Sequence, residues 1–204
     1  RAIPYPVILF TADDTGLTLR TDMKGIAVAL AEPLGKAAEQ PVPLSIVIDA
    51  GDGDTTRVRV RYQDRLSADL ALAPATAGDA AAGATVTGVN LQLGKGPAPA
   101  ATRGIYVGGT ADDLDLGAWH AALGTIGKSS LALQKIDLHA GHLHLLGQTV
   151  SDVHLVSTPA DQGSSPLLDG AGAEGEVDWD ASAGGRLTAR RKHLRLDAQP
   201  PPTD

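Results

Sequence analysis

Histidine is the residue type in this chain best suited to chemistry at a site, since cysteine is absent. Four histidines cluster: His139, His142, His144 and His154. On a β-strand His142 and His144 would share one face, because successive side chains point to opposite faces, and zinc can use that geometry. A zinc site needs another ligand, for which His154 from a neighbouring strand is the candidate. The alternative is a set of exposed histidines on a polar strand face, and we predict this alternative, with no bound metal or other cofactor.

Other motifs that could support chemistry are incomplete. Residues 49–54, DAGDGD, resemble a calcium loop but lack the ordered ligand spacing that ends in a bidentate Glu. Asp-Gly between two strand-like runs is typical of a hairpin turn, which we predict here. The sequence contains no Gly-x-Ser-x-Gly elbow, His-Glu-x-x-His motif or phosphate-binding loop. We therefore expect no catalytic residues, and a histidine-metal hydrolase is the enzymatic alternative.

Composition restricts the function classes further. The net charge of −7 argues against a nucleic-acid partner, because such binders carry a basic patch. Only 3% of the residues are aromatic, so aliphatic side chains must supply the apolar packing. No apolar run approaches the roughly 18 residues of a membrane-spanning helix. The chain begins with Arg1 and ends in Pro-Pro-Pro-Thr-Asp, which we interpret as the ends of an internal fragment of a longer protein.

Apolar and polar residues alternate along most of the chain, which is the pattern of half-buried β-strands. Turn residues separate these runs at 52–54, 94–97, 140–141 and 184–185. The pattern predicts an all-β fold, mainly an antiparallel meander that forms a curved open sheet or groove, with one or two short helices. The alternating runs are 57–61, 66–72, 89–93 (after Gly88, a candidate bulge), 136–145, 150–156, 175–179 and 186–197.

Two segments break the alternation. Asp115 is a suitable N-cap for a short helix over residues 116–123, in which Trp119 and Leu123 would share the inward face. Residues 33–39 could form either a helical turn or a loop. We predict that residues 1–198 form one β-rich segment, with a subdivision near residue 100 as the alternative, and that residues 199–204 are a linker.

Four motifs follow one another along the chain: residues 16–28 leading into 33–38; 104–109 followed by 114–116 and Trp119; 136–138 with 145–148; and 175–179 ahead of 185–190. Their order resembles that of YhdP-type proteins, which are AsmA-like proteins of the Gram-negative cell envelope. Together the four motifs cover nearly the whole chain.

This resemblance implies a function in lipid transport. YhdP-type proteins are similar to bridge-like carriers that are anchored in the inner membrane and extend a β-sheet groove across the periplasm. The resemblance implies that phospholipid acyl chains slide along the groove, and that the partners are these lipids and the remainder of the full-length protein. The aliphatic residues that would line the groove in this segment are Val58, Val60, Leu66, Ala68, Leu70, Val89, Leu91, Leu93, Leu143 and Leu145.

The alternative is a structural or interaction module of an envelope protein, whose apolar residues form an ordinary closed core. The two hypotheses differ in one structural feature. A groove leaves one apolar sheet face open, whereas a closed module covers that face with a second sheet or a helix.

Overall fold

The computed structural model describes residues 7–13, 16–51, 53–74, 84–119, 131–145, 148–157, 167–170, 173–180 and 186–194, with the last three segments and residue 145 described as backbone only. Twelve strands form one sheet in which the spatial order equals the chain order. They are β1 (Ile8–Asp13), β2 (Gly16–Thr21), β3 (Leu44–Ala50), β4 (Thr56–Tyr62), β5 (Leu66–Ala73), β6 (Thr85–Leu93), β7 (Gly104–Asp115), β8 (Leu133–Leu145), β9 (Gln148–Ser157), β10 (Leu167–Gly170), β11 (Ala173–Asp180) and β12 (Arg186–Leu194).

Neighbouring strands are antiparallel except at β6–β7 and β7–β8, which are parallel. The predicted all-β, mainly antiparallel open sheet is therefore confirmed, and the two parallel pairs are an addition that alternation could not reveal. Parallel neighbours need a connection that returns to the start of the strand. Residues 94–103 make the first return, and the second lies between the end of β7 at Asp115 and the start of β8 at Leu133.

The first return crosses one face of the sheet closely. Ser67 Oγ donates a hydrogen bond to the Gly96 carbonyl oxygen at 2.8 Å, and the backbone N–H of Ala101 donates to Asp69 Oδ1 at 2.8 Å. A Cβ on Gly88 would lie only 1.9 Å from the Thr102 carbonyl oxygen, so only glycine fits beneath this segment. The predicted bulge beside Gly88 is also present, as a register shift in the β5–β6 pairing.

One predicted turn is wrong. Residues 140–141 lie inside β8, which continues from Leu133 to Leu145. Gly141 instead allows the neighbouring strand to approach closely, because a Cβ at this position would come within 2.8 Å of the Asp112 carbonyl oxygen. The predicted turn at 52–54 is borne out where it is described, since the Gly51 N–H donates to the Thr55 carbonyl oxygen at 2.7 Å between β3 and β4.

The predicted helix begins as expected. Residues 116–119 are helical, and Asp115 Oδ1 accepts a hydrogen bond from the Ala118 N–H at 2.8 Å, which is N-cap geometry. Trp119 is half-buried against the core. Residues 120–123 lie outside the described part of the chain, and residues 33–39 form a loop. Among the described residues, no helix has the length and apolar character needed to cross a membrane.

The long loop between β2 and β3, residues 22–43, folds over one end of the sheet. Its Leu34 and Val42 are 7% and 1% exposed and belong to the main apolar cluster. The loop is held by buried Lys36, whose Nζ donates to the carbonyl oxygens of Met23 at 3.0 Å, Ala37 at 2.9 Å, and Ile26. This loop acts as a cover that is fixed from inside by one ammonium group.

Replacing Lys36 with Met is expected to lower the free energy of unfolding by about 1–3 kcal/mol, because three partly buried carbonyl oxygens lose their charged donor. Thermal melts and limited proteolysis of the loop would measure the effect. Lys24→Met is the matched control, since Lys24 is an exposed lysine of the same loop. Equal melting temperatures for the two variants would contradict the role of Lys36 in holding the loop.

Candidate functional site

The sheet has two chemically different faces, and the pairing of the strands shows which residues lie on each. In β4 the valines Val58 and Val60 point to one face and the arginines Arg57, Arg59 and Arg61 to the other. We call these the apolar face and the polar face. Cross-strand partners share a face, so the register between strands extends both faces across the sheet.

On the apolar face, cross-strand partners form three rows that run perpendicular to the strands. The first row is Leu17, Ile48, Val58, Leu70, Val89 and Ile105. The second row is Leu19, Ile46, Val60, Ala68, Leu91 and Val107. The third row is Thr21, Leu44, Tyr62, Leu66, Leu93 and Gly109.

The three rows differ in exposure. In the third row Tyr62 and Leu93 are 6% and 4% exposed, because they join the cluster that loop 22–43 covers. Residues of the first two rows are mostly half-buried, and Leu17 is 37% exposed. The apolar face is therefore closed along the third row and open along the first two, except at Val107, which packs against the closed cluster.

No second layer covers the open rows in the part of the chain that the structure describes. Each strand makes substantial contacts only with its neighbours in the sheet, so no other sheet packs against either face there. Leu116 and Trp119 of the short helix contact the closed cluster. This arrangement is the open-face geometry that separates a groove from a closed module.

The predicted lining residues fall into three groups. Val58, Leu70 and Val89 lie in the first row, and Val60, Ala68 and Leu91 in the second, where Ala68 is only 7% exposed between larger neighbours. Leu66 and Leu93 lie in the covered third row. Leu143 is 0% exposed and belongs to the closed core, and the side chain of Leu145 lies outside the described residues.

Sequence analysis missed Ile46 and Ile48, which extend the open rows through β3. Alternation is hidden there because Val47, which points to the polar face, is also apolar. The signal was available in the pairing with β4, where Ile46 is opposite Val60 and Ile48 opposite Val58. Continuing the β4 pattern across a hairpin centred on residues 51–55 would have found both.

The closed core continues through β7, β8 and β9, where the alternation changes phase. Buried residues are three apart in each strand: Ala111 and Leu114, Ala140 and Leu143, and Val150 and Val153. These residues are cross-strand partners, so all three strands shift together. Asp152, between the two valines of β9, has a φ of 51°. The shift keeps Leu143 inside the core at the position where strict alternation would have pointed it outward.

The polar face carries charged pairs and the clustered histidines. Arg57 Nε lies 3.2 Å from Asp69 Oδ1, and Arg59 forms an ion pair with Asp49. Asp69 is buried, and its partners Arg57 and the Ala101 N–H tie β4, β5 and the crossing segment 94–103 together.

The structure divides the histidines into two pairs. His142 Nδ1 and His144 Nε2 both face Asp113 Oδ1, at 3.5 and 3.4 Å. His154 does not join them, so the combination considered from the sequence does not form. Instead, His154 stacks on its cross-strand partner His139, with ring centroids 3.8 Å apart.

Asp137 lies beside the stacked pair. Its Oδ2 accepts a hydrogen bond from Lys135 Nζ at 2.8 Å, and its Oδ1 lies 2.8 Å from His154 Nε2. The hydrogen bonds from Lys135 and then from His154 lower the pKa of Asp137 to about 2. The carboxyl group is therefore ionised throughout the neutral pH range.

Comparison with known proteins gives one match. No curated protein and no solved structure matches the chain significantly. A family model described as YhdP protein matches residues 7–204, which includes all twelve strands. The chain belongs to the YhdP family.

Proposed function

We propose that the first and second rows form part of the wall of a hydrophobic groove that conducts phospholipid between the inner and outer membranes. The protein would act without catalysis in the periplasm, as part of a longer chain anchored in the inner membrane. Its partners would be phospholipid acyl chains and the remainder of that chain. Family membership and the open sheet support this proposal.

The observation that carries the proposal is the direction of the open rows. They run across the strands, so an acyl chain lying along them contacts side chains from β2 to β7 in succession. Burial contributes about 0.8 kcal/mol for each methylene group. Aliphatic side chains provide this contact without the shape specificity of a pocket, so a chain can shift along the row at nearly constant free energy.

The closed core of β7–β9 supports a structural role for that part of the sheet. Leu143, Val42 and Val153 are almost completely inaccessible, so acyl chains have no access to them. A structural or interaction module without any ligand is therefore the second candidate. It predicts that the open rows bind no lipid.

Site-specific photocrosslinking in cells would test the proposal. A photoreactive amino acid replaces Leu91 in the open second row, and Gln92, which points to the polar face, is the matched control in the same strand. We expect phospholipid adducts at position 91 and few or none at position 92, identified by mass spectrometry.

Native mass spectrometry of the purified chain provides a second measurement, in which co-purified phospholipid is expected. Absence of lipid in both experiments, or equal adducts at positions 91 and 92, would favour the module without a ligand.

A further inference from the structure

A group of three potential metal ligands lies on the polar face, opposite the open rows. Asp137 and His139 lie in β8, and His154 lies in β9. One ligand atom from each residue lies within 4.8 Å of the other two. His139 is exposed, whereas Asp137 and His154 are half-buried. The group is therefore accessible to an ion from solvent and is held by two paired strands.

Two imidazoles and one carboxylate are a ligand set used by zinc and other divalent transition metals. Asp137 Oδ1 and His154 Nε2 are already 2.8 Å apart and are joined by a hydrogen bond. A metal ion can replace the hydrogen-bonding proton, and the two atoms then need to move apart only slightly to bind it.

The remaining adjustment is rotation of the rings. His139 and His154 are stacked with only 11° between their planes, whereas a bound metal lies in the plane of each imidazole that ligates it. At least one ring, that of His139, must turn about its Cβ–Cγ bond, a torsion whose energy profile is broad. The exposed position of His139 leaves room for this rotation.

The two charged side chains near the group have opposite effects on the binding of a cation. The carboxylate of Asp137 attracts a cation, while the Lys135 ammonium, 2.8 Å from Asp137 Oδ2, opposes one. Lys135 contacts the oxygen that His154 does not, so Oδ1 is available to a metal while the ion pair persists.

We propose that Asp137, His139 and His154 form a binding site for a divalent transition metal such as Zn²⁺, which would link β8 to β9 on the polar face. From the sequence we predicted no metal, since the chain has one His-x-His pair and neither Cys nor His-Glu-x-x-His, and the grouping of Asp137 with His139 was not considered. Three protein ligands leave at least one coordination position for water or an outside donor, so we expect reversible binding rather than a permanently held structural ion.

Isothermal titration of the metal-free 204-residue chain with Zn²⁺ tests this proposal. We expect saturable binding of one ion per chain. His139→Ala, His154→Ala and Asp137→Asn should each weaken binding about tenfold or more. Lys135→Met should tighten binding several-fold, because an opposing charge is removed, and a purely structural role for Lys135 would not produce that gain.

His142→Ala is the matched control, since it removes an exposed histidine from the same strand and should leave affinity nearly unchanged. Circular dichroism checks that each variant is folded, and His139→Gln and His154→Gln replace any alanine variant that is not. Absence of saturable Zn²⁺ binding, or equal weakening by His142→Ala, would overturn the proposal.

Discussion

Val60→Asp and Leu91→Asp are each expected to abolish phospholipid passage while leaving the sheet folded. Both positions lie in the open second row, separated only by Ala68 on β5. A carboxylate there interrupts the apolar path, and an acyl chain would have to desolvate the charge in order to pass. Because the side chains are only half-buried, the new carboxylate can still reach water, and we expect a stability loss of about 1–2 kcal/mol.

The measurement pairs thermal melts with delivery of labelled phospholipid to the outer membrane in cells that rely on this protein. Arg61→Asp is the control, because Arg61 is adjacent to Val60 in sequence but exposed on the polar face. We expect the control to support normal delivery. If Val60→Asp and Leu91→Asp also support normal delivery, the open rows are not the lipid path. If they unfold the chain, the rows are a closed core.

Leu143→Asp is expected to unfold the domain. Leu143 is 0% exposed and lies in the cluster that joins β7, β8 and β9. An aspartate there would be buried without a partner at a cost of several kcal/mol, a large part of the roughly 5–15 kcal/mol by which such domains are stable. Circular dichroism and thermal melting would show loss of the cooperative transition.

Leu143→Met separates the effect of charge from that of shape, because it conserves volume and should cost less than about 1.5 kcal/mol. The contrast between Leu143→Asp and Val60→Asp tests the division of the apolar face into closed and open parts. Similar melts for the two aspartate variants would show that this division is wrong.

Alternation was sufficient to predict β4, β5 and β6, the strands that carry the middle of the open rows. Val58 and Val60 alternate with arginines, and the pattern fixes which side chains share a face because the side-chain period of a strand is two. The helix start was equally local, since Asp115 needs only the N–H of Ala118, three residues ahead, as its partner. Features determined within one strand or one turn were therefore accessible from sequence.

Features that depend on neighbouring strands could not be predicted from the sequence. Alternation does not encode strand direction, so the parallel pairing of β7 with β6 and β8 was missed. Glycine at position 141 suggested a turn, whereas it accommodates the close approach of Asp112. The stacked pair of His139 and His154 requires the β8–β9 register, which is set by the pairing of Leu145 with Gln148.

The rows run across the strands, so the length of the apolar path across the sheet does not depend on its width along the strands. Strands are spaced about 4.8 Å apart, so the six strands from β2 to β7 that carry the open rows span about 24 Å across the sheet. Gain of one hairpin would lengthen the path by about 10 Å and leave every existing cross-strand pair unchanged. The width of the path depends instead on how many residues of each strand point to the apolar face. On the proposed function, gain or loss of hairpins would therefore match such a protein to a wider or narrower gap without altering how strongly each segment binds an acyl chain.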